Sequence, residues 1–161
     1  MKKENMNNKG FSLVELIIVI AIMAILIVVL APQYLKYVEK SRNSTDLQSA
    51  TEFKNAMEIY AADPESTEAF ADVDIKFTTT GVTYTSTAVD AALKNAALSK
   101  DKLKCVSKNN WDAFTLKLKA NADGSIDWDY ESSKGGSANT NFKDMMNNKS
   151  KTPAGGGDET E

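Results

Sequence analysis

The stretch that decides the fold reads K-G-F-S-L-V-E-L-I-I-V-I-A-I-M-A-I-L-I-V-V-L-A-P-Q-Y-L, residues Lys9 to Leu35. Between Leu16 and Ala31 no side chain is polar, and from Phe11 to Ala31 only Ser12 and Glu15 interrupt the apolar run. As a helix rising about 1.5 Å per residue, Phe11 to Ala31 reaches roughly 30 Å, the thickness of a hydrocarbon core, so the run can cross a membrane once. The twelve Leu, Ile and Val residues from Leu16 to Ala31 each favour insertion by about 0.3 to 0.6 kcal/mol, against roughly 3 kcal/mol opposing it for a mid-membrane carboxylate. Insertion wins with Glu15 in place. A cleaved secretory signal fits poorly, because the run is long and its far end, Leu30-Ala31-Pro32-Gln33, puts a proline after the candidate cut.

Two features separate this run from an ordinary anchor. A Lys9-Gly10 step stands just before it, and Glu15 follows that glycine by five residues. Lys9-Gly10-Phe11-Ser12-Leu13-Val14-Glu15 resembles the class III leader of bacterial type IV pilins and pseudopilins at every position. The resemblance implies that a prepilin peptidase cuts between Gly10 and Phe11 and that the new amino terminus at Phe11 is methylated. It also implies a partner for Glu15, the amino group of Phe11 on a neighbouring subunit. A plain single-pass anchor offers none, although intramembrane charges are normally paired.

Pro32 has no N–H and its ring crowds the carbonyl of Val28, so a kink or lost hydrogen bonds is expected there. In related filaments the helix often melts between a glycine and this proline. Here Ala24 stands where that glycine would be, a stronger helix former by about 1 kcal/mol, so melting is expected near residues 28–32 rather than back to Ala24.

Beyond Pro32 the pattern turns amphipathic. Leu35, Val38, Leu47, Ala50, Phe53, Met57 and Tyr60 recur at spacings of three and four, until Asp63-Pro64 stops the helix. Lys40 to Thr45 carries no apolar residue, which predicts an exposed or loosened turn. Ile75-Lys76-Phe77 and Val82-Thr83-Tyr84 read as short strand pieces, Thr87 to Leu98 as a helix, and Lys102 to Val106 as a strand. The clearest strands are Ala113–Lys119 and Ser125–Glu131, which alternate with Phe114, Leu116 and Leu118 on one face and Ile126, Trp128 and Tyr130 on the other strand. To share a face, Leu118 must oppose Trp128 and Leu116 must oppose Tyr130. A three-residue loop Ala122-Asp123-Gly124 with Gly124 left-handed gives that register, and a two-residue Asp-Gly loop does not. The sheet is expected to pack on residues 47–60 and to show Thr115, Lys117, Asp127 and Asp129 to water.

The 161 residues, 42% apolar and 25% charged, suit one modest domain plus the anchor. Losing Lys2, Lys3, Lys9 and Glu4 with the leader takes the formal charge from −3 to −5, and no basic patch argues for nucleic acid. With no histidine, no Gly-rich phosphate loop and one cysteine, Cys105, the chain has no catalytic triad, common zinc site or redox pair. Cys105, between Leu103 and Val106, reads as a small buried hydrophobe. The pairs Asp72/Asp74 and Asp127/Asp129 read as solvated faces, and Tyr34, Tyr37, Phe53 and Tyr60 as helix anchors and core rather than an electron-carrying row. No enzyme activity, cofactor or metal is expected.

The expectation is an α+β protein of type IV pilin fold. Residues 1–10 are a leader, 11–34 a transmembrane and filament-core helix, 35–62 the amphipathic half of the same helix, 63–150 a head with an antiparallel sheet, and 151–161 a disordered tail. The lysines of the leader keep the amino terminus cytoplasmic and place the head outside. By resemblance, the subunit is held in lipid, extracted by an assembly machine, and polymerised with like subunits into a pilus used in adhesion, surface motility or biofilm formation. The lack of histidine and of a disulfide fits a Gram-positive source such as a clostridium. The rivals are a pseudopilin of a secretion or DNA-uptake apparatus, and a membrane-tethered binding module.

Overall fold

The computed structural model describes residues 11–147. The expected leader with its cut after Gly10, residues 148–150 and the expected disordered tail at 151–161 lie outside the described residues. Helix α1 runs from Leu13 to Ala62, fifty residues, with Pro32 inside it. The helix continues through Pro32, so the opening expected at residues 28–32 is not a property of the single chain. Packing divides the chain after Lys36 into two compact units. In the first, every described residue is exposed, and its helix is long and apolar enough to cross a membrane.

In the second unit, from Tyr37 onward, α1 becomes one-sided. Glu39, Asn43, Asp46, Ala50, Phe53, Met57 and Tyr60 are buried. Their alternating steps of four and three residues keep one stripe facing inward. At residues 40–45, Lys40, Ser41, Ser44 and Thr45 are exposed as expected, but the turn is not loosened. The turn is regular helix, and Asn43 is buried because it occupies a stripe position.

The rest of the unit is β1 (Val73–Thr78), β2 (Gly81–Thr83), α2 (Thr87–Asn95), a 3-10 turn (Lys100–Lys102), β3 (Ala113–Ala120), β4 (Ile126–Ser132) and α3 (Ser137–Met146). The strands form one antiparallel sheet in the order β2-β1-β3-β4. Leu118 faces Trp128 and Leu116 faces Tyr130, as the shared-face argument requires. Asn121 N–H donates to the Ser125 carbonyl at 2.8 Å, leaving Ala122-Asp123-Gly124 as the loop. Gly124 has φ +86°, a conformation that costs a side-chain-bearing residue about 1–2 kcal/mol. On the outer face Asp127 is exposed, whereas Thr115, Lys117 and Asp129 are half-buried. Lys117 pairs with Glu131 at 2.7 Å and Lys143 with Asp129 at 3.0 Å.

Three other elements depart from the sequence reading. Lys102–Val106 is not a strand. Cys105 N–H reaches the Thr78 carbonyl at 2.9 Å, but the N–H groups of Val106 and Ser107 go to the Asp46 side chain and are lost to any ladder. Helix α2 ends at Asn95, three residues early, and it is capped by Ser86, whose hydroxyl accepts Val89 N–H. Ala97, at φ +53°, turns the chain there, and Leu98 N–H closes on the Leu93 carbonyl at 2.9 Å. The third departure is α3, in the polar region after Ser132, which buries Phe142 completely.

The core is an aromatic relay between layers. Phe53 of α1 meets Phe77 edge-on at 5.4 Å, Phe77 stacks on Phe114 at 4.5 Å, and Phe142 reaches Phe114 at 4.9 Å and Trp111 at 5.1 Å. Because Phe53 is fully buried, Phe53→Ala is expected to destabilise the fold by about 3–5 kcal/mol. Urea unfolding of the detergent-solubilised chain, followed by Trp111 and Trp128 fluorescence, measures it. A loss below about 1 kcal/mol would contradict the packing described.

Candidate functional site

Residues 11–36 present apolar side chains to the outside around the whole helix. Phe11 is 93% exposed, and Leu16, Ile20, Met23, Ile27 and Leu30 are all more than half exposed. Monomeric soluble proteins do not leave a continuous surface of this kind in water, so lipid or other helices must cover it.

The residues singled out from sequence sit along this surface rather than in one pocket. Gly10 is outside the described residues, Phe11 precedes the helix, and Glu15 and Pro32 are both exposed, roughly 25 Å apart along the axis. Glu15 has a local partner that sequence reasoning missed. Its Oε2 accepts Ser12 N–H at 2.8 Å, while the Ser12 hydroxyl accepts Val14 N–H at 3.4 Å. Ser12-x-x-Glu15 is a capping-box spacing, so the carboxylate does one job within its own chain before any subunit meets another. Tyr34 and Tyr37 are exposed, whereas Phe53 and Tyr60 are buried in the core, so the four tyrosine and phenylalanine side chains form no row.

A second feature lies at the start of the head. Glu39 and Asp46, two turns apart on the buried stripe, hold the loop from Cys105 to Trp111. Glu39 Oε1 accepts the Ser107 hydroxyl at 2.6 Å and the N–H groups of Lys108, Asn109 and Asn110 at 2.9, 2.8 and 3.3 Å. Asp46 Oδ1 accepts Val106 N–H at 2.7 Å, and its Oδ2 accepts Ser107 N–H at 3.0 Å, the Trp111 indole N–H at 2.8 Å and the Cys105 thiol at 3.3 Å. From the other side Lys134 Nζ donates to the carbonyls of Lys108 and Asn109 at 2.9 and 2.8 Å. A loop that would bury orphan N–H groups has them matched by two buried carboxylates, and each carboxylate is matched by donors.

The electrostatics follow from that matching. Burial alone would raise the Glu39 carboxyl, but the hydrogen bonds from Ser107, Asn109, Lys108 and Asn110 outweigh it and bring the group down to about 2. Cys105 is pushed far up, first by burial and then by the charge and hydrogen bond of Asp46, so its thiol stays protonated and unreactive. Asp72 caps Ala120 N–H at 2.9 Å and Asp127 accepts from the Asn121 amide at 3.0 Å, which are structural tasks. Among the described residues no group of three or more His, Cys, Asp or Glu is placed to hold a metal ion.

Sequence comparison places these observations among known proteins. Residues 5–31 match the family described as the prokaryotic N-terminal methylation motif. The chain is 35% identical over 126 residues to the fimbrial protein EcpC of Eikenella corrodens, an alignment covering 77% of this chain and 82% of that protein. It is 38% identical over 63 residues to the type IV major fimbrial protein FimA of Dichelobacter nodosus, covering 38% of this chain and 40% of that protein. No solved structure gives a significant match.

The Glu39 carboxyl, only 8% exposed, makes a pH prediction. Its folded pKa of about 2 lies below the ordinary 4.5, so its stabilisation is fully present above pH 4.5 and is lost as pH falls from there towards 2. The loss is on the order of 3 kcal/mol. Glu39→Gln should be less stable at pH 7 and should lose less between pH 5 and pH 2.5 than the unaltered chain. Urea unfolding at the two pH values gives the difference, and equal acid sensitivity in both proteins would contradict the assignment.

Proposed function

The chain belongs to the type IV fimbrial protein family, and from that premise we propose how its amino-terminal half converts a membrane-held subunit into part of a filament. It is a type IV pilin, a structural subunit that assembles with other pilin subunits into a pilus, and such proteins are not a class of enzyme. The observation that carries the reading is the exposed apolar helix of residues 13–36, whose first part lies within the methylation motif matched at residues 5–31.

In this reading Lys2, Lys3 and Lys9 keep the amino terminus on the cytoplasmic side, and the head lies outside. A prepilin peptidase removes residues 1–10, where Gly10 leaves no side chain at the cut, and Phe11 becomes an N-methylated terminus. Lipid covers residues 11–34 until an assembly machine draws the subunit out. After that, the same residues of other subunits replace the lipid. Pro32, which already lacks one helix hydrogen bond, is where α1 opens over residues 28–32 as neighbours pack around it. The finished pilus serves adhesion, surface motility or biofilm formation.

Glu15 sets the register. Inside a bundle of apolar helices its hydration is lost, and an unpaired buried carboxylate costs several kcal/mol. The freed amine of Phe11 on an incoming subunit compensates it, and a slip of one turn leaves both charges unpaired among Ile and Val.

Two measurements test the reading. Intact-mass analysis of sheared surface filaments should show loss of residues 1–10 plus one methyl group, whereas filaments retaining Met1 would refute the processing step. Glu15→Ala should leave processing and membrane insertion near normal and sharply reduce surface filaments relative to the membrane-held pool. Glu15→Gln separates the two jobs of this residue, because glutamine keeps the capping-box hydrogen bond but not the charge. Filament yield from Glu15→Gln should be intermediate at best, and full yield would remove the charge-pairing argument.

A further inference from the structure

The charges of the head are sorted along α1. Where α1 enters the head, Lys40, Lys104 and Lys108 are exposed and Arg42 and Lys134 are half-buried. The loop held by Glu39 and Asp46 gathers them. Leu103, Cys105 and Ser107 turn inward, which sends Lys104 and Lys108 outward, and Lys134 reaches the carbonyl of Lys108. The two acids closest to this ridge, Glu39 and Asp46, are buried with oxygens turned to the N–H donors of the loop, and Glu39 Oε2 also pairs with Arg42 at 3.5 Å, which leaves the lysines as the ridge's free charge. Asp101 and Asp112 are exposed nearby and only partly offset the ridge.

The opposite sign collects beyond Ala62, where α1 ends. Glu65, Glu68, Asp72, Asp123 and Asp127 are all exposed there, with Lys119 as a minority charge. They share one end of the head, because residues 66–70 and the β3–β4 loop line a common shallow groove of about 410 Å³ with Ala61, and Asp72 caps Ala120. From Asp46 to Ala61 the helix rises roughly 22 Å. That is more than two screening lengths of about 8 Å at physiological salt, so the ends act as separate patches.

We propose that these patches are the two halves of a head-to-tail contact between copies of this chain, the lysine ridge of one head meeting the acidic end of the next along the filament. The inference rests on the filament reading above and names a contact that the apolar helix does not supply. Subunits that all point one way meet through two different surfaces, and such a heterologous contact propagates instead of closing. A two-fold pairing end to end would instead place ridge on ridge or acid on acid. A processed chain of formal charge −5, after Lys2, Lys3, Lys9 and Glu4 are lost from the −3 of the full sequence, otherwise repels its own copies at a distance. Single exposed ion pairs contribute little, so the arrangement acts as a set, steering orientation and register on approach.

The test reverses each end in the full-length chain in producing cells. The double variant Lys104→Glu/Lys108→Glu should reduce surface filaments roughly tenfold with the membrane-held pool unchanged. The side chains replaced are exposed, and the loop is held through its backbone. Glu65→Lys/Glu68→Lys should do the same, and combining all four should recover much of the yield. Normal yield from both double variants, or no recovery in the combination, overturns the contact. A second measurement avoids variants altogether. Raising salt from 0.1 M to 1 M shortens the screening length from about 10 Å to about 3 Å and should make isolated filaments easier to shear, whereas unchanged resistance counts against the proposal. Absence of filaments from the unaltered chain would instead remove the reading on which the proposal stands.

Discussion

The apolar surface of residues 11–36 cannot be satisfied by the chain that carries it. Each side chain there is exposed, and at about 25 cal/mol for every Å² of apolar surface left in water the surface must be covered by something else. Lipid can do so, and so can copies of the same helix, since a helix that is hydrophobic all round is at home in either. Storage in a membrane and polymerisation outside it are therefore two solutions to one constraint. The same 26 residues serve both, and apart from the opening proposed at residues 28–32 only the cover changes.

The head answers a different demand, which is to end that surface cleanly and keep the second half of α1 for itself. The buried stripe does this by continuing the helical spacing while changing chemistry. Phe53, Met57 and Tyr60 belong to the apolar core, whereas Asp46 and Glu39, two and four steps of the stripe before Phe53, meet backbone N–H groups. No disulfide is available to fasten the loop before β3, because Cys105 is free. Buried carboxylates do that work, and the breaking of either one would leave several donors unsatisfied at once. Holding the loop there also fixes where its lysines point, which links the packing of the head to the surface it offers a neighbour.

Much of this was legible in the sequence and some was not, for reasons that differ by element. The anchor could be read because apolar length and a Lys-Gly step are one-dimensional signals. The β3–β4 hairpin could be read to the residue, since alternation allows one parity and Gly124 marks the loop. Glu39 and Asp46 were missed because their type hid their position. The steps 39, 43, 46, 50, 53, 57 and 60 run unbroken, but a stripe sought by apolar residues breaks off after Val38 and resumes only at Leu47. Lys102–Val106 looked like a strand because its side chains do alternate in and out, and nothing local says that its N–H groups are claimed by a helix some sixty residues earlier. Helix α3 was obscured by its polar composition and is held mainly by Phe142 among Trp111 and Phe114. At the amino terminus, the Ser12–Glu15 cap shows that a resemblance can direct attention to one role of a residue and away from a nearer one.

The central claim is that α1 is shared between two environments, its first half belonging to the polymer and its second to the head. A helical reconstruction of filaments from producing cells tests it most directly. The account predicts that residues 13–36 of each subunit are enclosed by the same residues of its neighbours, with Glu15 beside the Phe11 amine of another subunit. It also predicts that residues 39–60 still lie on their own sheet and on the loop of residues 105–111. A map in which the first half of α1 faces solvent while subunits join only through their sheets would contradict it.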